Sequence, residues 1–215
     1  MVRIAVFGSF YRGYFVLDEL LHGPFREAFQ IVGVATDDVR QPFINLEQRV
    51  WQYPYTDIEA GMVSAYAERH NVPVYSGRIK SEAFYGIYEN DWRPDICIAA
   101  TFGQRIDERI YGYPRFGFYN AHPCKEDGWP SRYAGPNPFK ALIEDGSDHT
   151  TVALHRVDEG FDTGELIAMS PRIAIPPGAK VTDMHKITSP VIAKFVVPCL
   201  AEMAGVAQPS EQATA

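Results

Sequence analysis

Short apolar runs, each closed by a glycine or an acidic pair and separated by stretches of helical periodicity, recur along this 215-residue chain. The run "VRIAVFG" is rich in β-branched residues and ends on Gly8, as a strand covered on both faces does. "YFVLDELLH" follows with apolar residues at helical spacing and stops at Gly23-Pro24, and "FQIVGVATDD" then closes a second strand on Asp37 and Asp38. Strand, helix and strand in that order make a βαβ unit, which demands a parallel pair joined by a right-handed crossover.

The alternation continues. "DIEAGMVSAYAERHN" is an amphipathic helix between Asp57 and Asn71 that leads into the short strand "VPVYS", and a weaker helix, "KSEAFYGIYEND", precedes the buried strand "PDICIAATFG". After "IDERIYG" come the strand "FGFYN", the helix "PNPFKALIEDG", the strands "TTVALHRV" and "ELIAMSPRIAI", and a last helix from Val181 to Ala204. The later strands have little helix between them, so antiparallel edge strands are expected at the C-terminal side. The fold class is therefore α/β: one Rossmann-like domain over residues 1–205, with a mostly parallel sheet, helices on both faces and antiparallel C-terminal strands. "VAQPSEQATA" (206–215) is small, polar and expected to fray. Residues 38–56 contain two prolines and no clean period, which predicts a long surface connection of the kind that is often functional or mobile, with closure over a substrate left open.

The formal net charge of −7 leaves no basic footprint for nucleic acid and favours a small-molecule partner. Three scattered cysteines, Cys97, Cys124 and Cys199, form neither a disulfide framework nor a metal-binding spacing. The apolar start of the chain is too short for a signal peptide, and no run of about 18 apolar residues exists to span a membrane. A cytoplasmic protein without membrane partners is expected, and a homodimer is left open.

Chemistry concentrates in two places. Asn120 and His122 sit at i and i+2, so on a strand their side chains share one face, roughly 6–7 Å apart along the chain. An amide and an imidazole converging there suit a carbonyl that becomes tetrahedral, with Asn120 stabilising the oxyanion and His122 stabilising it or moving a proton. "RVDEGFDTGELI" supplies Asp158, Glu159 and Asp162 in a glycine-bracketed loop, and a carboxylate brought beside His122 would favour its charged form. The first βα turn, "GSFYRG", lacks both GxGxxG and GxxxxGK[ST], which argues against nicotinamide or nucleoside triphosphate chemistry. That turn still faces the ligand crevice of an open α/β sheet, making Ser9, Tyr11 and Arg12 candidate substrate contacts. Cys124 has no activating partner for a nucleophile's role, and His149 and His155 do not form a zinc-binding pair.

The ordered set "YNAHP", then "PSRYAGPNPFKALIEDGSDHTTVALHRVDEGFDTGELI", resembles the formyltransferases that use 10-formyltetrahydrofolate. That family includes the glycinamide ribonucleotide, methionyl-tRNA and sugar-nucleotide enzymes. Its pattern runs N-x-H-P, a Y-R-G-like turn, a helix ending in glycine, then D-x-G-x-D-T-G, and the resemblance covers about residues 1–205. It implies Asn120, His122 and Asp162 as the catalytic trio. It also implies a folate seat between Phe102-Gly103-Gln104 and the loop carrying Asp158, Gly160 and Phe161, with no metal required.

Departures bear on the acceptor. "GSFYRG" does not reproduce the Gly-Ser-Asn phosphate turn of the glycinamide ribonucleotide enzymes, and "CKEDGWPSRYAG" is longer and more polar than the family's S-L-L-P segment. In the Y-R-G turn Arg132 precedes Tyr133 and Ala134 takes the arginine's place, so Arg132 and Tyr133 join the substrate-contact candidates. The transfer-RNA enzymes carry a further C-terminal domain, whereas this chain stops soon after its last helix, so transfer RNA is not expected. The expected reaction is formyl transfer to an amine of a small molecule, such as a nucleotide-linked amino sugar or hydroxyornithine. The alternatives are a 10-formyltetrahydrofolate hydrolase and a non-catalytic folate or nucleotide binding module.

Overall fold

The computed structural model describes residues 1–207. Its centre is β1 (Val2–Gly8), whose residues alternate between the two faces of the sheet with the period of two that a pleated strand imposes. Ile4 and Val6 enter one buried cluster while Ala5 and Phe7 enter another. Such a strand has no solvated face, and all four side chains are fully buried.

Around it the chain builds α1 (Phe10–His22), β2 (Phe29–Ala35), α2 (Asp57–Arg69) and β3 (Val74–Tyr75) on one side. On the other side follow α3 (Glu82–Gly86), continued by a wider helical turn over Ile87–Trp92, then β4 (Ile96–Ala100), α4 (Glu108–Tyr111) and β5 (Phe118–Cys124). The strand order is β3-β2-β1-β4-β5, all parallel. After α5 (Pro138–Glu144) the direction reverses: β6 (His149–Arg156) runs antiparallel to β5, with β7 (Leu166–Met169) and β8 (Ile173–Ala174) both antiparallel to β6. α6 (Val181–Met203) closes the domain.

Helices α1, α2 and α6 cover one face through residues such as Leu17, Tyr66 and Val196. Phe84, Tyr88, Trp92 and Ile110 cover the other. The α/β architecture, the helices on both faces and the antiparallel C-terminal side agree with the sequence reading. Two details differ. "ELIAMSPRIAI" is two strands, because Pro171 has no N–H to donate and Ser170 turns its hydroxyl onto the Pro171 carbonyl (2.9 Å). Residues 38–56 are more than a surface connection: Arg49–Gln52 form a short helical turn, and Val50 and Trp51 are buried against Phe10. At the C-terminus the Val206 N–H still donates to the Ala201 carbonyl (2.8 Å). The rest of the expected tail, 208–215, lies outside the described residues.

The crevice lies where strand order changes sense between β1 and β4, at their carboxyl ends. Access there depends on α1 approaching the sheet closely. A Cβ on Gly13 would lie 2.6 Å from the Gly8 carbonyl carbon, so both positions require glycine for contact rather than for flexibility. Gly13→Ala is expected to destabilise the fold by about 1–3 kcal/mol. Gly61→Ala, in α2 with open space around it, is expected to be neutral or stabilising by up to about 1 kcal/mol. Urea unfolding of the two variants checks this, and equal shifts in one direction would remove the close-contact argument.

Candidate active site

Pairing of β5 with β6 sets Asn120 opposite His155 and His122 opposite Ala153. Tyr119 and Ala121 point into one core cluster, which turns Asn120 and His122 together toward the opposite face, at the level where the neighbouring β4 ends. They line a cavity of about 1120 Å³, open solvent at its mouth included, with Thr101 and Phe102 after β4, Asp158, Gly160, Phe161 and Asp162 after β6, and Arg12 of α1.

Asp162 is the hub. Its Oδ1 accepts from Asn120 Nδ2 (3.0 Å), and its Oδ2 accepts from the Gly135 N–H (3.0 Å) and lies 3.3 Å from His122 Nδ1. The Asp162 backbone sits in the left-handed region (φ 54), as do those of Arg49 and Thr101 on the same cavity wall. Such conformations persist where surrounding contacts hold them and gather at functional sites. Gly164 follows because a Cβ there would lie 1.9 Å from the Arg156 carbonyl oxygen.

The partners assign protons. His122 Nε2 faces the Tyr133 carbonyl at 2.9 Å, so it carries a hydrogen in either charge state, leaving Nδ1 toward Asp162 as the titrating nitrogen. Burial pulls the His122 imidazole below its ordinary value, with the Asp162 charge working against it. Burial pushes Asp162 upward, but His155, whose Nε2 lies 3.5 Å away and donates when that ring is protonated, the His122 charge and the Gly135 N–H outweigh it and bring the carboxyl to about 2. His155 Nδ1 faces the Arg156 carbonyl (2.9 Å) and therefore donates, so in the neutral ring Nε2 accepts from Asn120 Nδ2 (3.1 Å). Both N–H groups of Asn120 thus point inward, one to His155 and one to Asp162.

The two loops expected to flank a folate are in contact. Arg105 Nη2 donates to the Glu159 carbonyl (2.7 Å) and its guanidinium lies 4.7 Å from the Phe161 ring centre. Phe102, Gln104, Asp158, Gly160 and Phe161 line the cavity. Gly103 acts from behind it, its N–H donating to Asp37 Oδ2 at 2.6 Å. The substrate-contact candidates separate. Arg12 lines the cavity. Ser9 does not: its hydroxyl donates to Asp37 (3.1 Å) and accepts from the Asp37 N–H (2.9 Å), binding the first turn to the end of β2. Tyr11 donates to Glu59 (2.7 Å), outside the cavity lining. Arg132 pairs with Asp127 and Asp145 at the surface, and Tyr133 reaches the site only through its carbonyl.

Sequence reading missed His155 and Asp37. His155 is 2% exposed, under the Trp129 ring at 4.9 Å, and its signal was its place opposite Asn120, which only the strand register reveals. Among the described residues no group of three or more His, Cys, Asp or Glu is placed to hold a metal ion, and no helix is long and apolar enough to cross a membrane.

A strand-end site at the switch point of a mostly parallel sheet is how an α/β enzyme of this class presents its chemistry. A family model described as formyl transferase matches residues 57–194. The chain belongs to the formyl transferase family. It is 29% identical over 170 residues to the methionyl-tRNA formyltransferase of Thermotoga maritima, an alignment covering 78% of this chain and 49% of that protein. The chain spans about half the length of the curated relatives it matches. Its fold is like that of glycinamide ribonucleotide transformylase 1 from Geobacillus kaustophilus (TM-score 0.67, 20% identity, 94% and 98% of the two chains). It is also like that of a formyltetrahydrofolate deformylase from Pseudomonas syringae (TM-score 0.63, 16% identity, 94% and 62%).

The depressed Asp162 carboxyl has a consequence for folding. A group ionised more easily in the folded state stabilises it above the unfolded value of about 4, and that contribution is lost as pH falls from about 4 toward 2. Asp162→Asn, whose side chain tolerates the left-handed backbone, should lose about 2 kcal/mol at pH 7 and flatten the acid limb in that window. Denaturant midpoints at pH 2, 4 and 7 check it, and an unchanged acid limb would mean that Asp162 is not held this way.

Proposed function

We propose that the chain transfers a formyl group from 10-formyltetrahydrofolate, the family's donor, to an amine of a small molecule. The observation that carries this is the Asn120, His122 and Asp162 cluster, joined within 3.3 Å and open to a cavity. The cavity's composition fits a folate: Phe102, Ile106 and Val157 offer apolar walls for a flat ring, and two loops held together by Arg105 offer backbone groups for its polar edge.

When bound, the folate supplies an activated formyl carbon. The protein's part is to meet charge and carry protons. Asn120 turns one N–H from its inward partner to the developing oxyanion, as a preorganised amide donor. His122, held by the Tyr133 carbonyl, works through Nδ1, and Asp162 favours the protonated ring that supports that oxyanion. Asp162 also orders the water that relays the proton the amine must lose. We assign the acceptor to the class of nucleotide-linked amino sugars or hydroxyornithine. The absence of the Gly-Ser-Asn turn from "GSFYRG" supports an acceptor other than glycinamide ribonucleotide.

Conversion of 10-formyltetrahydrofolate to tetrahydrofolate, followed by absorbance with water alone and with a panel of amines, tests the reading. Turnover that requires one amine is expected, and turnover in water alone would make the chain a hydrolase. With the true acceptor, Asn120→Ala and His122→Ala should each lose about 10²-fold or more in kcat with an unchanged circular dichroism spectrum. Near wild-type turnover in either would remove that residue from the chemistry.

A further inference from the structure

We propose that Arg12 anchors a carboxylate carried by the acceptor near its reacting amine, an inference that rests on the formyl-transfer reading. Arg12 stands in the first turn of α1, is 3% exposed and lines the cavity. Nη1 donates to the Ala121 carbonyl at 3.0 Å, while Nε and Nη2 are buried and have no hydrogen-bond partner among the described residues. Among the described residues no Asp or Glu lies within 4 Å of the guanidinium.

The free pair is informative. Nε and Nη2 share one edge of the guanidinium, and their N–H bonds run parallel with the spacing of two carboxylate oxygens. A buried cation without a counter-charge is costly to the fold, so its retention calls for an anion that arrives from outside. Beside it His185 is 8% exposed, lines the same cavity and leaves Nδ1 without a partner among the described residues. Phe139 borders both side chains, 5.6 Å from Arg12 and 5.0 Å from His185 between centres. Seating the anion takes a small side-chain shift at this wall, after which it meets two donors on Arg12 and one nitrogen on His185.

Position sets the acceptor's shape. Ala121, whose carbonyl holds Arg12, lies between Asn120 and His122 on β5, so the anion sits next to the reacting centre. That suits a compact amino acid in which amine and carboxylate belong to one small skeleton. A group with a phosphate at the far end of a nucleotide would place its charge elsewhere.

The test measures binding without donor or turnover. Wild-type protein and the variants Arg12→Met and Arg12→Lys are titrated calorimetrically with ω-amino carboxylates from glycine to 5-aminopentanoate, with the matching carboxamides and with inorganic phosphate. At least one carboxylate should bind wild type tenfold or more tighter than its carboxamide, with the preference lost in Arg12→Met and reduced in Arg12→Lys. Equal binding of every acid and amide, or a preference that survives in both variants, would overturn the assignment, and binding of phosphate alone would overturn the carboxylate class. Should Arg12→Met not fold, the wild-type pairs and Arg12→Lys decide. A chain that shows the preference yet transfers no formyl group would refute the proposed reaction and leave the anion site standing.

Discussion

The antiparallel register between β5 and β6 is the constraint from which the site follows. Because side chains alternate along a strand, a slip of one residue would turn every pair to the wrong face. Held in register, Asn120 meets His155, His122 faces the small Ala153, and Tyr119 and Ala121 stay in the core. On its other side β5 pairs in parallel with β4, whose end at Ala100 releases the loop that roofs the crevice. The loop after β4 leaves at the level of Asn120 and Ala121, while β6, running the other way, releases the loop of Asp162 beside the start of β5, where Arg156 pairs with Tyr119, and the reactive groups lie between the two loops.

Electrostatics then sort the groups that this register gathers. Around the Asp162 carboxylate stand two imidazoles, a backbone N–H and an amide, and each donor shortens the list of protonation states open to the cluster. Burial disfavours charge on His122, while the Asp162 carboxylate that works against that preference is itself kept ionised. Asp37 plays the corresponding part behind the site, where its buried carboxylate gathers Ser9 and Gly103 and thereby ties the ends of β1, β2 and β4 together. Burial raises its pKa, and the hydrogen bonds it accepts work the other way.

Much of the architecture was legible in residue order. Apolar runs closed by glycine or aspartate gave the parallel strands, and the i, i+2 spacing put Asn120 and His122 on one face. What escaped reading depended on contacts distant in sequence. Ser9 sits in the turn that faces the crevice, as expected, but Asp37, 28 residues later, claims its hydroxyl. His155 looked like a lone strand residue because its significance lies in the partner 35 positions away. Residues 38–56 lack periodicity, yet Trp51 finds Phe10 and closes a small core of its own, a match that no local pattern announces.

The sheet's borders carry a further consequence. β3 contributes two paired residues at one border and β7 four at the other, with Pro171 interrupting what would otherwise be a longer ribbon. Strands this short present few free backbone groups for another chain to zip onto, which is how natural sheets discourage fibrous self-assembly. The interruption that defeats a continuous strand reading therefore also shortens the edge open to backbone pairing, and it leaves side-chain surfaces, rather than backbone ladders, as the ground on which two copies of this chain could meet.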